Sequence, residues 1–284
     1  PPLGCYRNSL AARSAAVATA LLNSQPASEA RSTGILNCRC LPSVCSSART
    51  LAPPGPLGDA PPRAGRYPPK HLAASSGIFG VGMALELNPE AVEAMLKADW
   101  EIASHGYRWI DYKDIPEEIE REHMGRAIEV HTRVTGSRPL GWYTGRTSSN
   151  TQRLVHEEGG FLYDADSYAD DLPYWVETPA GEPHLVIPYT LDTNDMRFAS
   201  PQGFNSGEQF FNYLRDAFDV LYAEGETPST DGSSCPKMLS IGLHCRLIGR
   251  PGRIASLEKF LIHVNNHANV WLCRRVDIAR HWHK

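Results

Sequence analysis

Two histidines directly follow short apolar segments of this sequence, at the points where those segments end. His105 follows Trp100–Ser104 and precedes Gly106, and His244 follows Met238–Leu243. If both segments are parallel strands, their carboxyl ends meet at one edge of the sheet, where α/β folds build their sites. Histidine suits general acid and base catalysis because its pKa lies near neutrality. The pattern therefore predicts a hydrolytic site at this edge.

Three further strand ends carry polar groups, and we expect them to converge on the same edge. They are the corner Tyr143–Arg146, the pair Asp164 and Asp166, and the pair Asp192 and Asn194. Each has another explanation when taken alone, since aspartates after strands often cap the next helix and Arg146 fits a surface charge. Together with the two histidines, five coincident strand ends favour a shared site.

The histidine spacing does not predict a zinc site. Trp109 occupies the position four residues after His105 and cannot act as a ligand. His263 and His267 have a suitable spacing, but they lie on a predicted helix without a carboxylate in the same turn. We therefore predict no metal and no other cofactor.

Composition excludes several classes of protein. The 28 basic and 32 acidic residues give no sign of nucleic-acid or anionic-membrane binding, and no apolar window is long enough to span a bilayer. Seven cysteines make a poor disulfide framework, and Cys38, Cys40 and Cys45 lack the paired CxxC spacing of a zinc site.

We expect an intracellular, cytoplasmic protein with a small-molecule partner, and the sequence is compatible with a homo-oligomer.

The first 75 residues differ from the remainder of the chain. Residues 1–70 contain eight basic residues but only two acids, Glu29 and Asp59, and 11 of the 22 prolines. This composition is typical of a disordered segment or an organellar transit peptide, which would make the location organellar. Because the chain starts with Pro1 and not Met, a fragment, a processed product or a mispredicted exon also fits. We predict a leader over 1–75 and a structured domain over 76–284.

Helix and strand signals alternate from about Ile78, which favours an α/β fold with a parallel sheet covered or closed by helices. Asn88-Pro89 predicts a helix start, and Gly136 predicts the end of a second helix. A complete (β/α) barrel needs about 250 residues, whereas only about 205 residues show this alternation of helix and strand signals. We therefore expect an irregular barrel, or one that lacks its first strands.

Four segments resemble the cofactor-independent allantoinases of the polysaccharide deacetylase (NodB-homology) superfamily. They are 104–112 (SHGYRWIDY), 141–146 (GWYTGR), 163–175 (YDADSYADDLPYW) and 241–246 (IGLHCR). The resemblance extends from about Gly80 to the end of the chain. It implies a distorted (β/α) barrel and hydrolysis of a carbon–nitrogen bond in a cyclic amide, from allantoin to allantoate in purine degradation.

The resemblance also explains Trp109. Polysaccharide deacetylases have two metal-binding histidines in this motif, of which only His105 remains, and the allantoinase branch has likewise lost the metal. The superfamily's arginine motif is altered near Tyr143 and Thr144, whereas its late motif is retained as Leu243-His244. No acidic pair of the superfamily's first motif is found in 1–75. The alternatives are therefore a metal-dependent polysaccharide deacetylase and a truncated, inactive homologue.

The predicted site combines these residues with stated roles. One of His105 and His244 takes the proton of the attacking water, and the other assists the departing nitrogen or the oxyanion. Asp164 or Asp166 orients a histidine or accepts from the N–H groups of a ureide substrate, and Arg146 donates to its carbonyl oxygens. Trp109, Trp142 and Tyr143 complete the predicted substrate pocket, although ordinary core packing is an equal alternative for the two tryptophans.

Overall fold

The computed structural model describes the backbone of residues 16–23, together with residues 76–230, 232 and 235–284. The strands are β1 (Ala16–Asn23), β2 (Gly77–Gly80), β3 (Glu101–Ser104), β4 (Gly141–Trp142), β5 (Tyr163–Asp164), β6 (Tyr174–Glu177), β7 (Pro183–Val186), β8 (Lys237–His244) and β9 (Val270–Leu272). The helices are α1 (Gly82–Leu87), α2 (Pro89–Lys97), α3 (Glu117–Thr135), α4 (Thr151–Glu158), α5 (Gly207–Glu226), α6 (Cys245–Ile248), α7 (Pro251–Asn265) and α8 (Arg275–Trp282). A 3-10 helix covers Asp195–Ala199.

The strands form one mostly parallel sheet that curls into a ring. Its order is β6-β7-β5-β4-β3-β2-β1-β8, with β9 also paired to β1, and the β6–β7 pair is antiparallel. The chain that continues from β7 crosses to β8, where the N–H of Gly242 donates to the carbonyl of Thr193 over 3.0 Å. This contact closes the ring between its two ends. The predicted distorted (β/α) barrel is confirmed.

The structure differs from the sequence prediction at Ala16–Asn23. These residues were assigned to a leader without structure, yet they form β1 between β2 and β8. The reason lies in the run AVATALL over 16–22, a continuous apolar segment of the kind that parallel sheets use in their interior. The barrel therefore has a strand that the sequence analysis expected to be missing. The other residues of the predicted leader lie outside the described part of the chain.

Side chains alternate between the inside and the outside of the barrel, as the strand period of two requires. The inner face carries Phe79, Ala103, Tyr143, Tyr163, Leu185 and Tyr189, which pack with residues of α8. The outer face carries residues such as Ile78, Ile102 and Trp142, which pack against the surrounding helices. The barrel interior is thus a packed core of apolar and aromatic side chains.

Local signals explain where the helices begin and end. Pro89 is the first residue of α2, as predicted, although the Asn88 side chain donates to the carbonyl of Ala84 and not to the helix. Gly136 ends α3 with a φ of 83°, the left-handed conformation that a glycine adopts without steric cost. None of the helices in the described part of the chain has the length and apolar character needed to cross a bilayer.

A buried arginine at the start of α8 supports the ring closure. Arg275 is fully buried and donates to the carbonyls of Ile187 (2.6 Å) and Pro188 (2.9 Å) and to Ser240 Oγ (2.8 Å). Its guanidinium therefore joins the chain after β7 to strand β8. Beside it, Glu101 accepts from the Tyr163 hydroxyl and from the N–H of Val276, each over 2.8 Å. Together these bonds fix α8 against the amino ends of the strands.

We predict that Arg275→Met lowers the free energy of unfolding by about 3–5 kcal/mol. Two backbone carbonyls lose their hydrogen-bond donor, and the buried carboxylate of Glu101 loses its countercharge. Denaturant unfolding measures the loss. The matched control is Arg280→Met on the same helix, whose side chain is 55 % exposed and which should change stability by less than about 0.5 kcal/mol. Equal stability of the two variants would show that the closure does not depend on this guanidinium.

Candidate active site

The structure places both predicted histidines on the inner face, at the same edge of the barrel. His105 directly follows β3 and is 2 % exposed, while His244 is the last residue of β8 and is 5 % exposed. The charge of His244 is one of the causes that lower the pKa of His105, so the two rings lie within electrostatic range of each other. That the two histidines act in one catalytic site stays a prediction.

His244 is held by an aspartate that the sequence analysis did not select. Its Nδ1–H donates to Asp195 Oδ1 over 2.6 Å, and Asp195 Oδ2 accepts from the N–H of His244 (2.8 Å) and of Ile248 (3.0 Å). Asp195 is fully buried at the start of the 3-10 helix. An aspartate on Nδ1 fixes the tautomer that leaves Nε2 free to accept a proton, and it stabilises the imidazolium that then forms.

His105 has the opposite environment. Its ring packs edge-on against Tyr143 (5.0 Å between ring centroids) and Phe79 (6.4 Å). Both ring nitrogens are buried without a hydrogen-bond partner among the described residues. Burial lowers the pKa of His105 to about 4, and the charges of His244 and Arg146 act in the same direction. The imidazole is therefore neutral at pH 7, with one N–H to donate and one lone pair to accept.

A group of tyrosines forms the wall beside His105. Tyr143 packs at 4.5 Å between ring centroids on Tyr189, and its hydroxyl lies 3.0 Å from that of Tyr168. Asn194 donates to the Tyr189 hydroxyl over 3.2 Å. Burial raises the pKa of all three phenols, so they stay neutral and act as hydrogen-bonding groups. Tyr143, predicted to bind substrate, thus lies beside His105.

Asp166 lies where the turn after β4 meets the end of β5. Its carboxylate accepts from the N–H groups of Thr144 (2.8 Å) and Gly145 (2.6 Å), which favours the charged form. Burial outweighs these bonds and raises the pKa of Asp166 to about 7, although part of the side chain still reaches solvent. This carboxyl can therefore gain or lose a proton near neutral pH.

Arg146 and Trp109 pack on each other in the loops that follow β4 and β3. The guanidinium carbon of Arg146 lies 3.9 Å from the centroid of the Trp109 ring, a cation–π contact. Arg146 is exposed and Trp109 is half-buried, and the charge of Arg146 reaches His105, whose pKa it lowers. The pair forms a positively charged part of the rim.

The structure does not bring Asp164 and Trp142 to this site. Their neighbours Tyr143 and Tyr163 point inwards, so strand alternation turns Trp142 and Asp164 outwards. Trp142 packs on Phe161 (5.2 Å between ring centroids) in the cluster under α3 and α4, and Asp164 lies 3.0 Å from a histidine of β7. The position expected for Asp164, beside one of the two predicted catalytic histidines, is occupied by Asp195.

Asp195 had a weak signal in the sequence. It follows Asp192 and Asn194 at a predicted strand end, but nothing in the local pattern distinguishes it from them. Its partner His244 lies 49 residues away along the chain. Only the ring closure, which pairs Asn194 with Gly242, shows which acid meets the histidine.

The donors around His105 do not fit the catalytic metal of the sugar deacetylases. Two groups of three potential ligands occur among the described residues, and neither contains His105 or His244. The rings nearest His105 belong to Phe79 and Tyr143, and Trp109 under a guanidinium replaces the second histidine. We therefore derive no catalytic step through a metal ion.

Comparison with known proteins identifies the relatives of this chain. Residues 70–159 match the family described as "Polysaccharide deacetylase". A Schizosaccharomyces pombe protein named "Putative polysaccharide deacetylase" is 43% identical over 219 residues, which are 72% of this chain and 67% of that protein.

Two solved structures are similar over most of the fold. A probable polysaccharide deacetylase from Pseudomonas aeruginosa PAO1 is 61% identical with a TM-score of 0.70, covering 75% of this chain and 69% of its own. PuuE allantoinase is 47% identical with a TM-score of 0.73, covering 94% of this chain and 90% of its own. The barrel, its inward-facing histidines and these relatives lead to one conclusion: the chain belongs to the polysaccharide deacetylase family of hydrolases.

Proposed function

We propose that this protein hydrolyses a carbon–nitrogen bond of a cyclic ureide, allantoin to allantoate, without a catalytic metal. The observation that carries the proposal is the pair of inward-facing histidines, one supported by Asp195 and the other neutral and unpartnered, with Trp109 in place of a second ligand. The 47% identity to PuuE allantoinase over most of both chains supports the same substrate.

In the proposed mechanism His244 is the general base. Asp195 holds Nδ1–H, so Nε2 accepts a proton from the water that attacks the ring carbonyl carbon. The new carbon–oxygen bond forms as the carbonyl oxygen becomes an oxyanion, and the buried carboxylate stabilises the imidazolium. When the carbon–nitrogen bond breaks, the imidazolium returns the proton to the departing nitrogen. Water and the cyclic amide thus give a carboxylic acid, which then loses its proton to solvent, and an open ureide.

Neutral and charged hydrogen-bonding groups complete the mechanism. The N–H of His105 and the hydroxyl of Tyr143 are donors that can meet the developing oxyanion in a site with little water, where such bonds stabilise charge strongly. The Asp166 carboxylate accepts from a ureido N–H, and Arg146 donates to a ureido carbonyl from the rim. A ureide ring offers these donors and acceptors within a few ångströms of the scissile bond.

Sugar deacetylation is the second candidate, because it also hydrolyses an amide and because the 61%-identical structure is described as a probable polysaccharide deacetylase. The residues around His105 favour the ureide. Deacetylases of this superfamily rely on a metal ion, and the second histidine for that ion is Trp109 here. The two candidates differ in their dependence on metal and in their substrate.

We predict that the purified protein hydrolyses allantoin after exhaustive treatment with a chelator, because protein groups supply the base and the oxyanion donors. His105→Ala should lower kcat/KM at least about 100-fold, as the loss of one oxyanion donor does. His263→Ala, on α7, which packs in a separate cluster from the core around His105, is the control and should leave turnover unchanged. Release of acetate from N-acetylglucosamine oligomers, restored only by added zinc, would instead establish the deacetylase.

We predict that Asp195→Asn lowers kcat by about 10³–10⁴ with little change in KM, because the amide no longer favours the tautomer of His244 that accepts a proton. Steady-state kinetics on allantoin separates kcat from KM. Circular dichroism and denaturant unfolding control for the two backbone N–H bonds that the asparagine oxygen must still accept. A rise in KM at constant kcat would place Asp195 in substrate binding and contradict this role.

We predict that KM for allantoin rises as the pH falls through about 7, the raised pKa of Asp166, because the protonated carboxyl no longer accepts from the ureide as an anion. The neutral form of His105 persists through this range, since its pKa lies near 4. In Asp166→Asn the step in KM near pH 7 should disappear. A step that is unchanged in this variant would have to arise from another group.

A further inference from the structure

A second group of titratable side chains lies on the outer face of the barrel and takes no part in the mechanism above. We propose that His156, Asp164 and His184 bind a divalent transition-metal ion, Zn²⁺, at a structural site separate from the active site. His184 Nε2 lies 3.0 Å and His156 Nε2 lies 4.0 Å from Asp164 Oδ2. The ligating atoms of the three residues all lie within 4.8 Å of one another.

These three atoms are buried and unsatisfied. The side chains of His156, Asp164 and His184 are 5%, 6% and 9% exposed. Asp164 Oδ2 and both Nε2 atoms have no hydrogen-bond partner among the described residues, since the 3.0 Å contact lacks hydrogen-bond geometry. Buried polar atoms almost always have a partner. A cation satisfies two imidazole lone pairs and a carboxylate oxygen together, whereas one water has only two protons to donate.

The donor set and its spacing fit zinc. Two imidazoles and one carboxylate are common zinc ligands, with bonds of about 2.0–2.2 Å that place tetrahedral ligands roughly 3.3 Å apart. The observed separations of 3.0 and 4.0 Å lie on either side of this value. Three protein ligands leave a fourth position for a water molecule.

A backbone bond orients the carboxylate for this purpose. Asp164 Oδ1 accepts from the N–H of Asp166 over 3.1 Å, which fixes the carboxylate and leaves Oδ2 for the ion. Ligands of structural metals are typically held in this way by neighbouring polar groups. The same bond connects the outer site to Asp166, which accepts from the N–H groups of the turn after β4.

The three ligands come from three different elements, α4, β5 and β7. Bound zinc would therefore join a helix of only eight residues to two neighbouring strands of the sheet. Since the ion binds the folded arrangement and not the unfolded chain, it stabilises the native state. Its expected role is structural, on the opposite side of the sheet from His105 and His244.

The other group of potential ligands, Asp219, His263 and His267, provides a matched control. His263 Nε2 already bonds to Asp219 Oδ1 over 2.6 Å, and His267 Nδ1 bonds to the carbonyl of His263 over 2.9 Å. Asp219 is exposed and the two histidines are only partly buried. The side chains of this group already have hydrogen-bond partners and contact with solvent. The ligating atoms of the buried group have no hydrogen-bond partner among the described residues.

The test uses the full chain, stripped with a chelator and desalted before Zn²⁺ is added. We expect the wild type to retain one equivalent of zinc after desalting, measured by mass spectrometry of the metal, and to show a higher Tm. His156→Gln and His184→Gln should each lose the bound zinc and the rise in Tm, whereas His263→Gln should keep both. Co²⁺ in place of Zn²⁺ should give the visible absorption of a tetrahedral ion in the wild type and in His263→Gln.

Two results would overturn the proposal. Wild-type protein that retains no zinc above the level of His184→Gln would show that the three residues form only a buried polar cluster. Zinc that is lost in His263→Gln, but kept in His184→Gln, would assign it to the exposed group. If a variant fails to fold, the stoichiometry and Tm shift of the wild type still decide. Turnover of allantoin by zinc-free protein, below its Tm, tests the proposed function separately.

Discussion

The closure of the barrel between the chain after β7 and strand β8 is the constraint on which the rest of the structure depends. The Arg275 guanidinium donates to two backbone carbonyls on one side of this closure and to the Ser240 hydroxyl on the other. Gly242 lets the two sides approach, since a Cβ there would lie 2.3 Å from Asn194 Nδ2. The same contact brings Asp195 to His244. The bonds that complete the ring therefore also position Asp195 beside His244, the proposed catalytic pair. A substitution at this closure would change both the fold and the candidate site.

Strand alternation then divides the polar residues between two faces. His105, Tyr143 and His244 point into the barrel, whereas Asp164 and His184 point outwards from strands of the same sheet. The inner group is mainly neutral and aromatic, and the Asp195 carboxylate is paired with His244. The outer group holds two imidazoles and a carboxylate without other partners. A shift of one residue in the register of β5 would turn Asp164 into the barrel and Tyr163 out of it, so register determines on which face this carboxylate lies.

This division explains what could be predicted from the sequence. The positions of His105 and His244 followed from apolar segments of four or more residues, whose ends are visible in the pattern. Asp164 was placed on the wrong face because β5 has only two residues, too few to show a period of two. Asp195 was not selected because its partner is far away in the chain, and local patterns carry no information about such contacts. The strand Ala16–Asn23 was missed because the basic, Pro-rich composition around it outweighed a short apolar run.

The unpartnered His105 ring has a further consequence for the proposed reaction. A buried polar group without a hydrogen-bond partner destabilises the substrate-free protein by roughly 1–3 kcal/mol. A substrate that supplies the missing hydrogen bonds removes this penalty, which strengthens its binding. Burial keeps this imidazole neutral, so the gain in binding is greatest for an uncharged ligand that both donates and accepts. A cyclic ureide has alternating carbonyl and N–H groups and meets this requirement. An acetylated sugar presents one amide on a ring of hydroxyl groups, and it would leave more of the site unsatisfied without a metal ion to polarise that amide. The energetic cost stored at His105 thus favours the ureide over the sugar.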